Sequence, residues 1–223
     1  MLCLIHSQID AQLGIIENQY AIHCFSNIEN EALISFPKNS SNFIKLEEQS
    51  VRINGKLGSY TMHKSSIHKA TNMQFKALKE SEEEILIYYA YTFKKKNYEL
   101  ILSVQEIYRN GYSGVEIKII ADLPEEINAV SYNIPNTSTG IFGGGIQYSN
   151  WNLKGTKFPL IVEENGVGRG DKGSTFLANI FGAAGNHHTT YAPMPKFYSS
   201  NQKSYYLLSH AEDVIWEADF TNE

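Results

Sequence analysis

The stretch Ile85–Tyr108, ILIYYAYTFKKKNYELILSVQEIY, decides the fold. Its apolar residues recur at every second position. Ile85, Ile87, Tyr89, Tyr91 and Phe93 share one face of an extended chain, and Tyr98, Leu100, Leu102, Val104 and Tyr108 share one face of the return. Side chains alternate across a strand, so this period of two marks a strand with one buried face. Between the runs, Lys94-Lys95-Lys96-Asn97 is a polar connection with a turn-tolerant Asn. Residues 85–109 therefore read as one long antiparallel hairpin. The lysines read as a solvated turn that also discourages edge pairing; a basic recognition patch is the competing reading.

Shorter strand candidates lie on either side: Tyr20–Phe25, Ala32–Phe36, Ser50–Ile53, Met73–Leu78, Val115–Ile120 and Ala129–Ile134, then Phe176–Phe181, Tyr205–Ser209 and Val214–Phe220. Asn54-Gly55, Asn110-Gly111 and Asp122-Leu123-Pro124 supply turn signals between several of them. Ser66–Glu84 admits a short helix or a strand, and the alternation of Met73, Phe75 and Ala77 favours the strand. Many short strands with almost no helical period predict an all-β, antiparallel β-sandwich. No repeat, low-complexity tract or linker interrupts residues 1–223, so a single domain is expected.

The composition agrees. With 223 residues, 42% of them hydrophobic, the chain can build a core without disulfides or a structural metal. Lys plus Arg number 19 against 24 Asp plus Glu, a net charge of −5, which argues against a nucleic-acid partner. Cys3 and Cys24 are the only cysteines; two free thiols in a reducing compartment is the reading preferred to one bridge. The N-terminus MLCLIHSQID lacks a basic start and a long apolar run, so no secretory signal is read there. The apolar stretch Ile85–Phe93 is far shorter than the ~20 residues that cross a bilayer as a helix. A soluble, cytoplasmic protein without a membrane partner is expected. No cofactor motif is present: Gly143-Gly144-Gly145 is followed by Ile146-Gln147-Tyr148-Ser149 rather than a helix start, and no Gly-Lys-Ser/Thr occurs. The plainer reading of these glycines is the start of a strand where backbones approach closely or bend. His187-His188 would point to opposite sides of an extended chain, a poor metal site.

After residue 135 the texture changes to glycine, Asn, Ser and aromatics, a composition of structured loops on which binding groups sit. Phe142–Ser149 reads FGGGIQYS, followed by Leu153-Lys154-Gly155 and Phe158-Pro159-Leu160. This series resembles the N-terminal domain of glycoside hydrolase family 31. Glu164-Asn165-Gly166-Val167-Gly168-Arg169 is similar to the Glu-Gln-Gly-Val-Gly-Arg run of that family's sulfoquinovosidase and α-glucosidase branch. The specific match spans about 30 residues. Gln147 stands where the family usually has Glu, and Asn165 where the branch often has Gln; each keeps hydrogen-bonding capacity and loses charge or reach.

The resemblance implies a β-sandwich similar to the galactose-mutarotase superfold, packed in the family on a TIM barrel that holds both catalytic aspartates. Retention needs two carboxyl groups roughly 5–5.5 Å apart, as nucleophile and acid/base. A barrel alone takes about 250 residues, so none fits beside a sandwich in this chain. Glu163 and Glu164 are adjacent, so on an extended segment they face opposite ways. No catalytic residue is assigned, and this polypeptide alone is expected to be inactive; its implied partners are the catalytic barrel and a carbohydrate, an α-glucoside or sulfoquinovoside. The resemblance also places a loop within residues 150–175 over the sugar pocket. Gln147, Trp151, Asn165 and Arg169 are the candidate substrate-binding residues that the resemblance implies. The Arg169 guanidinium suits a sulfonate held in a bidentate fork, or pins the loop by bonding backbone carbonyls or a neighbouring Glu. Trp151 and Tyr148 stack on sugar faces or bury against the next layer of the fold. Two other readings stand beside this one: a free-standing carbohydrate-binding module, and a mutarotase-like enzyme using His23, His63 or His210 as acid or base.

Overall fold

The computed structural model describes residues 14–25, 32–38, 43–56, 59–81, 84–109, 112–133, 138–145, 151–160, 172–181, 193–201, 203–206 and 216–221. Chain contacts group into two compact units, Met1–Ser50 with Ser66–Ile134, and Val51–Ser65 with Pro135–Glu223.

The first unit holds β1 (Gly14–Glu17), β2 (Ala21–Phe25) and β3 (Ala32–Pro37), parts of β4 (Ile44–Lys56) and β5 (Ser59–Lys69), then β6 (Thr71–Glu80), β7 (Ile85–Phe93), β8 (Lys96–Arg109), β9 (Tyr112–Ile119) and β10 (Ala129–Tyr132). They form sheets in the orders β1-β2-β3, β6-β7-β8-β9 and β10-β4-β5. The expected hairpin is β7–β8. Ile85 pairs with Val104, Ile87 with Leu102, Tyr89 with Leu100 and Tyr91 with Tyr98. Every odd residue of β7 is buried and every even one is not. Those buried side chains join Ile22, Cys24 and Phe36 from the β1–β3 sheet, and Ile44 and Leu46 from β4, in one apolar cluster. Apolar faces of different sheets thus close over a shared core, the sandwich arrangement. Each fully buried side chain of this size is worth roughly 1.5–3 kcal/mol.

The turn is tighter than the sequence suggested. Lys94 and Lys95 alone make it, with φ of 48° and 66°, while Lys96 and Asn97 already pair with Phe93 and Thr92 in β8. Two consecutive positive-φ residues match the right-handed twist of the flanking strands. Within Ser66–Glu84 the described residues hold the end of β5 and all of β6, strand rather than helix, as the alternation predicted. Asn54-Gly55 makes no turn; β4 runs through it to Lys56, because pairing with a neighbouring strand overrides a local turn preference.

The second unit holds the remainder of β4 and β5, then β11 (Ile141–Gly145), β12 (Lys157–Leu160), α1 (Lys172–Ile180), β13 (Pro193–Ser199), β14 (Ser204–Tyr206) and β15 (Trp216–Asp219). Its sheets run β11-β13-β14 and β12-β15. Ile141, Leu153, Leu160, Phe197 and Ala218 form a small core against which Phe220 and Tyr205 pack. The strand expected over Phe176–Phe181 is instead part of the nine-residue helix α1. Phe176, Leu177 and Ile180 fall at i, i+1 and i+4, a spacing that a short apolar run shares with a strand until context decides. β13 begins at Pro193. A strand tolerates Pro193 as its first residue, and Pro195 coincides with a register irregularity opposite Gly143–Gly145, where a missing N–H breaks no ladder bond.

Among the described residues the architecture is antiparallel β with one short helix, and no helix is long and apolar enough to cross a membrane.

Candidate functional site

The glycine-rich strand β11 begins the site. Gly143, Gly144 and Gly145 have φ of 117°, 77° and 104°, a region side-chain-bearing residues avoid. A Cβ on Gly143 would sit 2.3 Å from the Lys196 carbonyl oxygen. The glycines are therefore the close approach and bend of a strand against β13, as their plainer reading held.

Asn152 fastens the next segment to the start of β11. Its Oδ1 accepts the backbone N–H of Ile141 at 3.0 Å and of Lys154 at 3.1 Å, and its Nδ2 donates to the Thr139 carbonyl at 3.4 Å. The Leu153 N–H donates to the Ile141 carbonyl at 2.7 Å, and Leu153 is buried. Lys154 Nζ donates to the Ser138 carbonyl at 3.0 Å. From β13's end, Ser200 Oγ accepts the N–H of Thr139 at 3.1 Å and of Gly140 at 3.2 Å. Side chains here satisfy backbone groups that no sheet ladder reaches.

Trp151 stands immediately before that anchor. It is 87% exposed and meets the Phe142 ring at a centroid distance of 5.9 Å, tilted by 56°. Of the two readings of this indole, burial in the next layer is thus not the one adopted. Gln147, Asn165 and Arg169, with Tyr148, Glu163, Glu164, His187, His188 and His210, lie outside the described residues. His23 contacts Asn18 Nδ2 at 3.1 Å and Ser35 Oγ at 2.7 Å on the first unit, and His63 is exposed on β5. Asn152 was missed by sequence reasoning; the signal available was an Asn two residues before a Lys-Gly turn.

An ion network borders β12 and β15. Lys157 Nζ lies 2.9 Å from Asp219 and 3.3 Å from Glu217, and Lys64 also bonds Glu217. Burial pushes the Asp219 carboxyl up, but the Lys157 ammonium and the Thr221 hydroxyl and amide outweigh it and hold the group at about 2. On the first unit Glu48 is likewise held below the usual carboxylate range, chiefly by the Lys94 ammonium at 2.7 Å and also by His68. Among the described residues, no three His, Cys, Asp or Glu side chains converge as metal ligands.

No family model matches the chain. The structure is similar to that of a solved enzyme with a TM-score of 0.70 and 18% identity, over 94% of this chain and 29% of that one. The fold is all-β, and the comparisons make the chain similar to part of a glycoside hydrolase family 31 enzyme. The solved enzyme is a family 31 sulfoquinovosidase from E. rectale, in complex with the aza-sugar inhibitor IFGSQ. The sulfoquinovosidase of Agrobacterium fabrum is 34% identical over 113 residues, which are 49% of this chain and 16% of that protein. The chain spans less than a third of the length of either.

Proposed function

We propose that this chain is a single, non-catalytic, N-terminal β-sandwich domain of a retaining α-glycosidase, supporting a catalytic barrel and lending a loop to its sugar pocket. The observation that carries this reading is the likeness over 94% of the chain to 29% of a family 31 sulfoquinovosidase. That proportion suits one accessory domain of a larger enzyme.

In this reading Trp151 stacks on a sugar face, Gln147 and Asn165 bond hydroxyls, and Arg169 grips an anionic substituent such as a sulfonate. The protein is soluble and cytoplasmic. The test is an assay of the purified chain with aryl α-glucosides and aryl α-sulfoquinovosides. No turnover above buffer is expected, and cleavage by this polypeptide alone overturns the proposal. The exposure of Trp151 also favours a second reading, a free-standing carbohydrate-binding module. Calorimetric titration separates the two, since a Kd tighter than about 1 mM, near −4 kcal/mol, favours the independent binder.

A further inference from the structure

An indole that is 87% exposed on an ordinary loop would sample many positions, and ordering it against a ligand would cost affinity. The backbone beside Trp151 is not ordinary. Asn152 makes three hydrogen bonds, two of them to residues that precede it by more than ten positions. Leu153 is buried and bonds Ile141, while Phe142 flanks the indole on one side. The chain is thus clamped immediately after the residue it exposes.

We propose that Asn152 is a positioning residue that preorganises Trp151 as a stacking platform for the apolar face of a pyranose ring. The inference rests on the sugar-contacting role proposed above for Trp151 and adds the device that fixes it. The acceptor Oδ1 is the working atom, since it takes both backbone N–H groups; an aspartate keeps that acceptor and an alanine does not.

The experiment uses the whole chain with Trp216→Phe, leaving Trp151 as the sole tryptophan. Fluorescence anisotropy decay reads indole motion, and quenching on titration with methyl α-glucoside and a methyl α-sulfoquinovoside reads binding. In the parent, the indole is expected to move with the domain. Asn152→Ala should add a fast local component and weaken sugar binding at least tenfold, whereas Asn152→Asp should restore both, with far-UV circular dichroism unchanged throughout. An indole as rigid in Asn152→Ala as in the parent overturns the positioning role. The accessory-domain reading expects this binding to be weaker than about 1 mM, and no response of the parent to either sugar at concentrations well above that overturns the platform itself. Calorimetric titration of Trp151→Ala separates the two ideas: unchanged sugar binding there sinks the role of Trp151, while binding lost in Trp151→Ala and kept in Asn152→Ala sinks only that of Asn152.

Discussion

The first unit is held together by faces and the second by individual atoms. In the β7–β8 hairpin the repeat in sequence is the repeat in burial, and side chains from several sheets share one apolar cluster. Among the described residues, the second unit's buried cluster is Ile141, Leu153, Leu160, Phe197 and Ala218. Around them, Asn152, Ser200 and Lys154 bond to backbone groups, and three glycines take conformations closed to other residues. Hydrophobic burial is non-directional and tolerates local change. Hydrogen bonds and a positive-φ bend have one geometry, so a single atom in the wrong place is felt at full cost.

The largest effect is therefore expected in the second unit, from Gly143→Ala. The methyl would meet the Lys196 carbonyl at 2.3 Å and force φ away from 117°. The clash and the backbone strain together should cost about 3–5 kcal/mol. Trp151 and Trp216 both lie in the second unit, so the midpoint of urea unfolding followed by tryptophan fluorescence should fall most. A variant as stable as the parent would remove the glycine bend as the point of greatest constraint.

Next comes Leu102→Ala in the first unit, a fully buried side chain facing Ile87. The expected loss is roughly 2–5 kcal/mol, set by the cavity left behind. The Cys24 thiol is the natural probe of this unit, because it is fully buried and burial pushes its pKa up to about 12. In a Cys3→Ala background Cys24 should resist a thiol reagent until unfolding, and Leu102→Ala should speed its labelling more than Gly143→Ala does. The reverse order would break the contrast between the units.

The same contrast explains what could be read from residue order. Burial of one face writes itself into sequence as alternation, so β2, β3, β6, β7, β8 and β9 were each visible. Asn152 and Ser200 hold groups 11 and 61 positions away, and no local pattern records such a bond. Phe176–Phe181 failed for a different reason, since six residues without a polar alternation do not distinguish helix from strand. Of the site, the glycine bend was legible from composition, and Trp151 was singled out through the family-like series around it. Its exposure and its clamp required the fold.

A smaller effect, of opposite sign, sharpens the contrast. The Tyr91 hydroxyl is buried without a hydrogen-bond partner among the described residues, although its ring stacks on Tyr98 at 5.6 Å. Burial pushes this phenol up to about 12. In a core held by faces, the ring matters and the oxygen does not. Tyr91→Phe should stabilise the protein by about 1 kcal/mol, measured as a higher urea midpoint. A loss of stability would show that the hydroxyl has a polar role in that core.

The smallest effect is electrostatic and belongs to the second unit. Asp219 is held at about 2 in the folded protein against 3.8 for the isolated group, so the folded state binds its proton less tightly than the unfolded one. Its contribution is complete above pH 4 and fades as pH falls from about 4 to 2. The side chain is 35% exposed, and solvent and salt reduce what a lysine–carboxylate pair is worth there to below about 1 kcal/mol. Asp219→Asn should accordingly be slightly less stable than the parent at pH 7 and 50 mM salt, and the difference should shrink in 1 M salt and vanish near pH 2. A gap that persisted at pH 2 would assign the effect to the neutral hydrogen bonds from Thr221 rather than to Lys157. The second unit would then be governed by directed hydrogen bonds even where lysine and carboxylate side chains pair.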